Sequence, residues 1–199
     1  MGTAKRYFWP HAASLAALAA FGSGFAVGFA PPQAAATETA ATAEKNPLGD
    51  IPDSQVFVVY RSPLGFSLKV PEGWARSERK NGAKFADKFN AIDIEVGNAA
   101  AAPSVDSVKA DQVAELVRTG RAVKIVGIKG VKLPAGDAVL IVYQSNSDPN
   151  PVTRKQLRQE NNRYLLFRDG RLAALDLAAP LGADNVDQWQ LIARSFRWQ

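Results

Sequence analysis

From Phe66 the chain alternates. Phe66, Leu68 and Val70 fall on one side of an extended segment and Ser67 and Lys69 on the other, a period of two that predicts a half-buried strand. Pro71 ends it, because proline cannot donate to a ladder. Glu72 and Gly73 then turn the chain and deliver Trp74, expected to close one end of the sheet as core. Just upstream, residues 56–60 are β-branched and aromatic and residues 62–65 carry turn chemistry, so a strand and a turn precede it.

The alternation continues downstream. Residues 83–89 and 91–96 read as a hairpin turning near Asn90, with Ile92, Ile94 and Val96 inward and Asp93 and Glu95 toward solvent. The period then changes. Ser104 is a good N-cap. Val105, Val108, Val113, Leu116 and Val117 share one half of a helical wheel, with Asp106, Asp111, Glu115 and Arg118 mostly on the other, and Gly120 is a natural stop, so one amphipathic helix is expected here. Residues 123–134 alternate again and shift phase at Gly127, which predicts a bulge. The unbroken apolar run 139–143 predicts a strand covered on both faces. Residues 146–151 form a loop, and 153–167 a long strand, polar and then apolar. Residues 168–171, RDGR, make a hairpin turn of Asp-Gly type into a returning strand at 172–180. A last helix follows, capped by Asp184, with Val186, Trp189, Ile192, Ala193 and Phe196 as its buried stripe. Hairpins dominate and strand–helix–strand alternation is missing. The fold class is therefore α+β, an antiparallel β-sheet flanked by α-helices.

Composition sets the organisation around that domain. With 199 residues, 47% hydrophobic and 22% charged, the chain can build one core plus an appendage, and wholesale disorder is excluded. Residues 1–36 have the tripartite order of a secretory signal: Lys5 and Arg6, an apolar stretch over 12–30, then Pro31, Pro32 and small residues, with cleavage expected near Ala36. An uncleaved anchor is the competing reading, since the apolar run is about long enough to span a bilayer. Residues 37–55 are small, polar and Pro/Gly-punctuated, and read as a flexible linker. The domain runs over 56–199. An extracytoplasmic protein, periplasmic or secreted, follows from that leader.

The leader also removes chemistry. The single histidine, His11, and the single methionine, Met1, lie within it, and the chain has no cysteine. Residues 37–199 thus offer no Ser-His-Asp triad, Cys-His nucleophile, His-ligated zinc, haem ligation or thiol redox site, and no disulfide. No cofactor is expected. Carboxylates remain: Asp93 and Glu95 stand i and i+2 on one strand face, about 6.5 to 7 Å apart, a spacing open to glycosidase-like work and equally to an ordinary wet face. Asp148, Asn150, Asp184, Asn185 and Asp187 are hard oxygen ligands of the kind calcium uses, but their spacing matches no EF-hand. The net charge of +5 is modest. Much of the basic character gathers at Arg154, Lys155, Arg158 and Arg163, with Arg168 and Arg171 beyond them. On an extended strand this segment could meet an envelope protein or an anionic membrane surface. Its alternation would place Arg154 and Arg158 on one face and Lys155 and Arg163 on the other. Nucleic acid is not expected, because interleaved aromatics are few.

The strand GFSLKVPEGW (65–74), the mid-chain amphipathic helix, the hairpin RYLLFRDGRLAAL (163–175) and the ending WQLIARSFRW (189–198) together resemble the PsbP-like superfamily over residues 56–198. That family includes the extrinsic oxygen-evolving protein of photosystem II, a Ran-binding nuclear import factor and many secreted bacterial proteins. GADNVDQW (182–189) looks most like the secreted bacterial branch. The resemblance implies an α-β-α sandwich and a protein that binds rather than catalyses. The chain departs from the photosystem protein in having no histidine beyond His11, and from the lipoprotein members in having no anchoring cysteine. The expected function is non-catalytic extracytoplasmic binding or complex assembly. A small-molecule or lipid-binding module using a pocket between sheet and helix is the first alternative, and a carboxylate-dependent hydrolase the second.

Overall fold

Every ladder between the described strands is antiparallel. The computed structural model describes residues 38–199; the leader expected at 1–36 lies outside them. The elements run β1 (Phe57–Ser62), β2 (Phe66–Pro71), β3 (Ala75–Arg79), β4 (Gly82–Ala86), β5 (Ala91–Asn98), α1 (Val105–Ala110), α2 (Gln112–Thr119), β6 (Lys124–Leu133), β7 (Gly136–Asn146), β8 (Arg158–Arg168), β9 (Arg171–Pro180), α3 (Val186–Ser195) and β10 (Arg197–Trp198). Seven strands form one sheet in the order β3-β4-β5-β9-β8-β7-β6, and three form a second in the order β1-β2-β10.

The faces of the large sheet follow from the period of two. Ala138 and Leu140 of β7 join the larger core, with Ile92, Ile94, Leu175, Leu177, Trp189, Ile192 and Phe196. Val139, Ile141 and Tyr143 of the same strand point the other way and pack with Leu165, Val108 and Leu116. So α1 and α2 cover one face, while α3 and the small sheet share the other. The α+β antiparallel class holds, although helices alone do not flank the sheet. β7 is buried on both faces, as its unbroken apolar run requires, and it lies next to the β6 edge. The phase shift at Gly127 is a register shift between Ile125 and Gly127. In the RDGR turn Asp169 and Gly170 both have positive φ, 50° and 76°, the conformation of a tight two-residue hairpin turn.

Several elements differ from the sequence reading, each for a local reason. β3 carries ARSER with all five residues exposed, so hydrophobicity gives no sign of it; pairing with β4 makes it a strand. Ser67 was expected in solvent but is buried, because β10 adds its two residues to β2 there. The single helix of 104–120 is two, broken at Asp111, which ends α1 and begins α2. Across that break Leu116 is buried while Val117 is left 55% exposed. The last helix is capped by Asn185, not Asp184, and Val186 lies outside its buried stripe. The final FRW is not helix: α3 ends at Ser195, and Arg197–Trp198 is β10. Trp74 is half-buried and packs against the larger core.

Residues 38–55 have no helix or strand, yet they are not a free linker. Ile51 sits in the main core and donates its N–H to Asn185 Oδ1 at 2.7 Å. Asn185 Nδ2 donates in turn to Gly49 O, and Asn146 Nδ2 to Glu38 and to Thr39 O. A polar, Gly/Pro-rich segment reads as solvated because its anchors are backbone groups, which composition does not show.

Candidate functional site

The core-side face of β6, β7 and β8 meets α3 across an open cleft of about 700 Å³. That volume is within the range of small-molecule sites. The sheet wall is Val131 and Leu133 from β6, Leu140 and Val142 from β7, and Asn162 and Tyr164 from β8. The opposite wall is one side of α3, with Trp189, Gln190, Ala193 and Arg194, and the loop 182–185 closes one end. Register explains the sheet wall: Lys129, Leu140 and Tyr164 are cross-strand partners in one row, and Val142 and Asn162 in the next. The helix wall follows from its spacing, because Trp189 and Ala193 are i and i+4 on one face.

The charges in the cleft are Lys129, Glu160, Asp184 and Arg194. Glu160 accepts the N–H of Gly182 at 3.3 Å, which places it at the loop end. Burial pushes its carboxyl above the usual range, and the Gly182 N–H pulls it partly back. The arrangement can hold an apolar body and satisfy a polar group at its rim. It brings together no nucleophile and base.

The carboxylate pair of the sequence reading lies on the other face of the sheet. Arg79 grips Asp93 through both guanidinium nitrogens, one at 3.1 Å, and comes within 3.7 Å of Glu95. Gly82 lies between Arg79 and Glu95 in register, and a Cβ there would fall 1.9 Å from Ile94 O. Next in the row, Asp176 stands opposite Asp93 and pairs with Arg163 at 2.7 Å, while Tyr143 donates its hydroxyl to Asp176 at 3.2 Å. Burial raises both the Asp176 carboxyl and the Tyr143 hydroxyl, and Arg163 opposes the shift of each.

The four basic residues proposed for partner binding do not share a strand face. β8 begins at Arg158, so Arg154 and Lys155 lie in the loop before it, Arg154 with φ of 59°. Both are exposed, and Lys155 pairs with Glu44 at 3.5 Å. Arg158 is buried and donates to Ala122 O at 2.7 Å and to Asn146 Oδ1. Arg163 belongs to the Asp176 pair. The strand itself is internal, between β7 and β9, so it is not an edge. The oxygen ligands considered for calcium are also dispersed. Asp148 pairs with Arg121, Asn150 caps the N–H groups of Val152 and Thr153, and Asn185 ties Ile51 to Gly49.

Sequence reasoning named Trp189 and Ala193 as core and passed over Lys129, Tyr164 and Arg194. The cleft draws these five from three elements, and nothing in the local spacing of Lys129 or Tyr164 marks them as neighbours of α3.

No family model matches the chain, and no protein of curated function matches it in sequence. Solved structures do match. The solution structure of cyanobacterial PsbP (CyanoP) from Synechocystis sp. PCC 6803 is similar with a TM-score of 0.54 and 14% identity, over 76% of this chain and 99% of that one. The Saccharomyces cerevisiae Ran-binding protein Mog1p gives 0.49 at 9% identity, over 73% and 96%. A Pseudomonas aeruginosa protein of unknown function, described as a putative regulator, gives 0.43 at 14% identity, over 67% and 91%. No helix among the described residues is long and apolar enough to cross a membrane. A TM-score above 0.5 over nearly the whole of the cyanobacterial structure shows that the chain has the PsbP-like fold.

Proposed function

We propose that this is a non-catalytic binding protein that works outside the cytoplasm and seats its ligand in the cleft between β6–β8 and α3. The cleft carries the reading. It is a concave surface of about 700 Å³, it is walled by Tyr164, Trp189 and aliphatic side chains, and it brings no acid–base pair to a reacting atom. The hydrolase alternative is weakened by Arg79, which already holds Asp93 and stands 3.7 Å from Glu95. The extracytoplasmic setting is supported by the order of charges and apolar residues in 1–36. An acidic envelope protein or anionic membrane surface, met through the basic segment, would meet Arg154 and Lys155, the two of the four that are exposed.

A neutral apolar probe, N-phenyl-1-naphthylamine, tests the proposal. Titrated into the full-length protein, it should brighten and shift the amide signals of Asn162, Gly182 and Gln190. Brightening with shifts elsewhere, or no brightening, would count against the cleft.

Assembly into a larger complex has its own supporting observation. β1 is an edge strand and leaves Val58 and Val59 exposed at 41% and 54%. Val59→Lys would guard that edge, and a complex isolated from the envelope should then lose this subunit. An unchanged complex would remove the edge from consideration.

A further inference from the structure

We infer that the cleft takes an anionic amphiphile, an acid with an apolar body, with its negative group between Lys129 and Arg194. The inference rests on the reading of the cleft as a binding site and adds the chemistry of the ligand.

The charges are arranged as two poles. Glu160 and Asp184 stand at the loop end, fixed by the contact of Gly182 with Glu160. Lys129 lies in the cross-strand row of Tyr164, four residues along β8 from Glu160, which is roughly 13 Å in a strand. Arg194 is eight residues along α3 from Val186, about 12 Å in a helix. Both cations are thus set apart from the acids, one on each wall, with Val131 and Leu133 continuing the sheet wall beyond Lys129. Leu140 and Tyr164 share the row of Lys129, Val142 and Asn162 form the row between it and Glu160, and Trp189 faces them from α3.

The two poles are not equivalent. Among the described residues neither Lys129 nor Arg194 has a carboxylate within 4.0 Å. Glu160, by contrast, already accepts a backbone N–H, and burial disfavours its charged form. The uncommitted cations line the same cleft from two different elements, and an oxyanion is the group that lysine and arginine hold best. A ligand with its positive end at Asp184 would gain one exposed carboxylate and leave both cations unmatched.

Three probes of equal chain length separate the possibilities: dodecanoate, dodecanol and dodecyltrimethylammonium, each titrated calorimetrically below its micelle concentration into the full-length protein near neutral pH. Amide shifts at Asn162, Gly182 and Gln190 report location. Dodecanoate should bind about tenfold or more tightly than dodecanol, and its advantage should shrink as salt rises. In Lys129→Gln/Arg194→Gln the advantage should vanish, with circular dichroism confirming the fold. Lys129→Gln alone, on an exposed strand position, should halve the advantage on a logarithmic scale. Equal binding of dodecanoate and dodecanol, or a double variant that keeps the preference, would overturn the inference while leaving the cleft as a binding site. Tightest binding of the ammonium would overturn it in favour of the acidic pole. Failure of all three to shift the cleft signals would overturn both the inference and the reading beneath it.

Discussion

Asn185 Oδ1 accepts the backbone N–H of Ile51 at 2.7 Å, across 134 residues of sequence. One side chain thereby fixes the N-terminal segment to the start of α3. Its amide nitrogen completes the tie, donating to Gly49 O and to Asn90 Oδ1. Asn185→Ala leaves a buried N–H and a carbonyl without partners, and should cost about 2 to 4 kcal/mol. Chemical denaturation reads the loss, and limited proteolysis should cut first within residues 38–50. A variant as stable and as protease-resistant as the parent would mean the segment is held by other contacts.

Arg163 and Asp176 are a mostly covered ion pair, with side chains 21% and 19% exposed. Removing one partner strands the other. Arg163→Met should destabilise by about 3 kcal/mol, and Arg163→Met/Asp176→Asn should recover most of that loss. The pH dependence has a definite sign. Burial, opposed by Arg163, raises the folded Asp176 above its unfolded value. The folded chain therefore holds this proton to higher pH than the unfolded one. The resulting stabilisation is full below the unfolded range, about pH 3.9, and is lost as pH rises through the raised folded range. Asp176→Asn should remove that part of the slope. Identical slopes in parent and variant would contradict it.

Arg158 is a strut. Burial lowers its guanidinium's affinity for the proton, and it is held by Ala122 O and Asn146. Arg158→Gln should lower the melting temperature by several degrees, as about 1 to 2 kcal/mol implies for a domain of this size. Arg154→Gln/Lys155→Gln should leave it nearly unchanged, since exposed pairs contribute little. The reverse order would contradict a buried, structural Arg158 beside an exposed Arg154 and Lys155.

Trp189 is 6% exposed and joins the main core to the cleft wall. Trp189→Ala should cost about 3 to 5 kcal/mol. A loss under about 1 kcal/mol would mean α3 is not docked by this side chain.

The sequence was most readable where burial is one-sided. Phe66, Leu68 and Val70 alternate because a single face of β2 meets the core, and the Trp189–Ile192–Ala193 spacing marks α3 for the same reason. Legibility failed where pairing rather than hydrophobicity decides. β3 is a strand with no apolar residue beyond Ala75, and β10 is two residues that exist as strand only because β2 offers an edge. It failed again where a polar residue is internal. Arg158 reads as surface by type, and its burial depends on carbonyl partners distant in sequence. The cleft was foreseen only as a pocket between sheet and helix. Its apolar lining looks like ordinary core in each element and its charged lining like ordinary surface, and only the packing of β6–β8 against α3 brings the two together.

Native mass spectrometry of the full-length protein isolated from its own host tests binding in the cleft most directly, run beside Gln190→Trp. Gln190 is exposed and lines the cleft, so an indole there fills the space without disturbing the core. The expected spectrum shows the parent carrying an additional small mass that collisional activation releases, and Gln190→Trp without it. A bare parent, or the same added mass on both proteins, would contradict a ligand seated between α3 and the sheet.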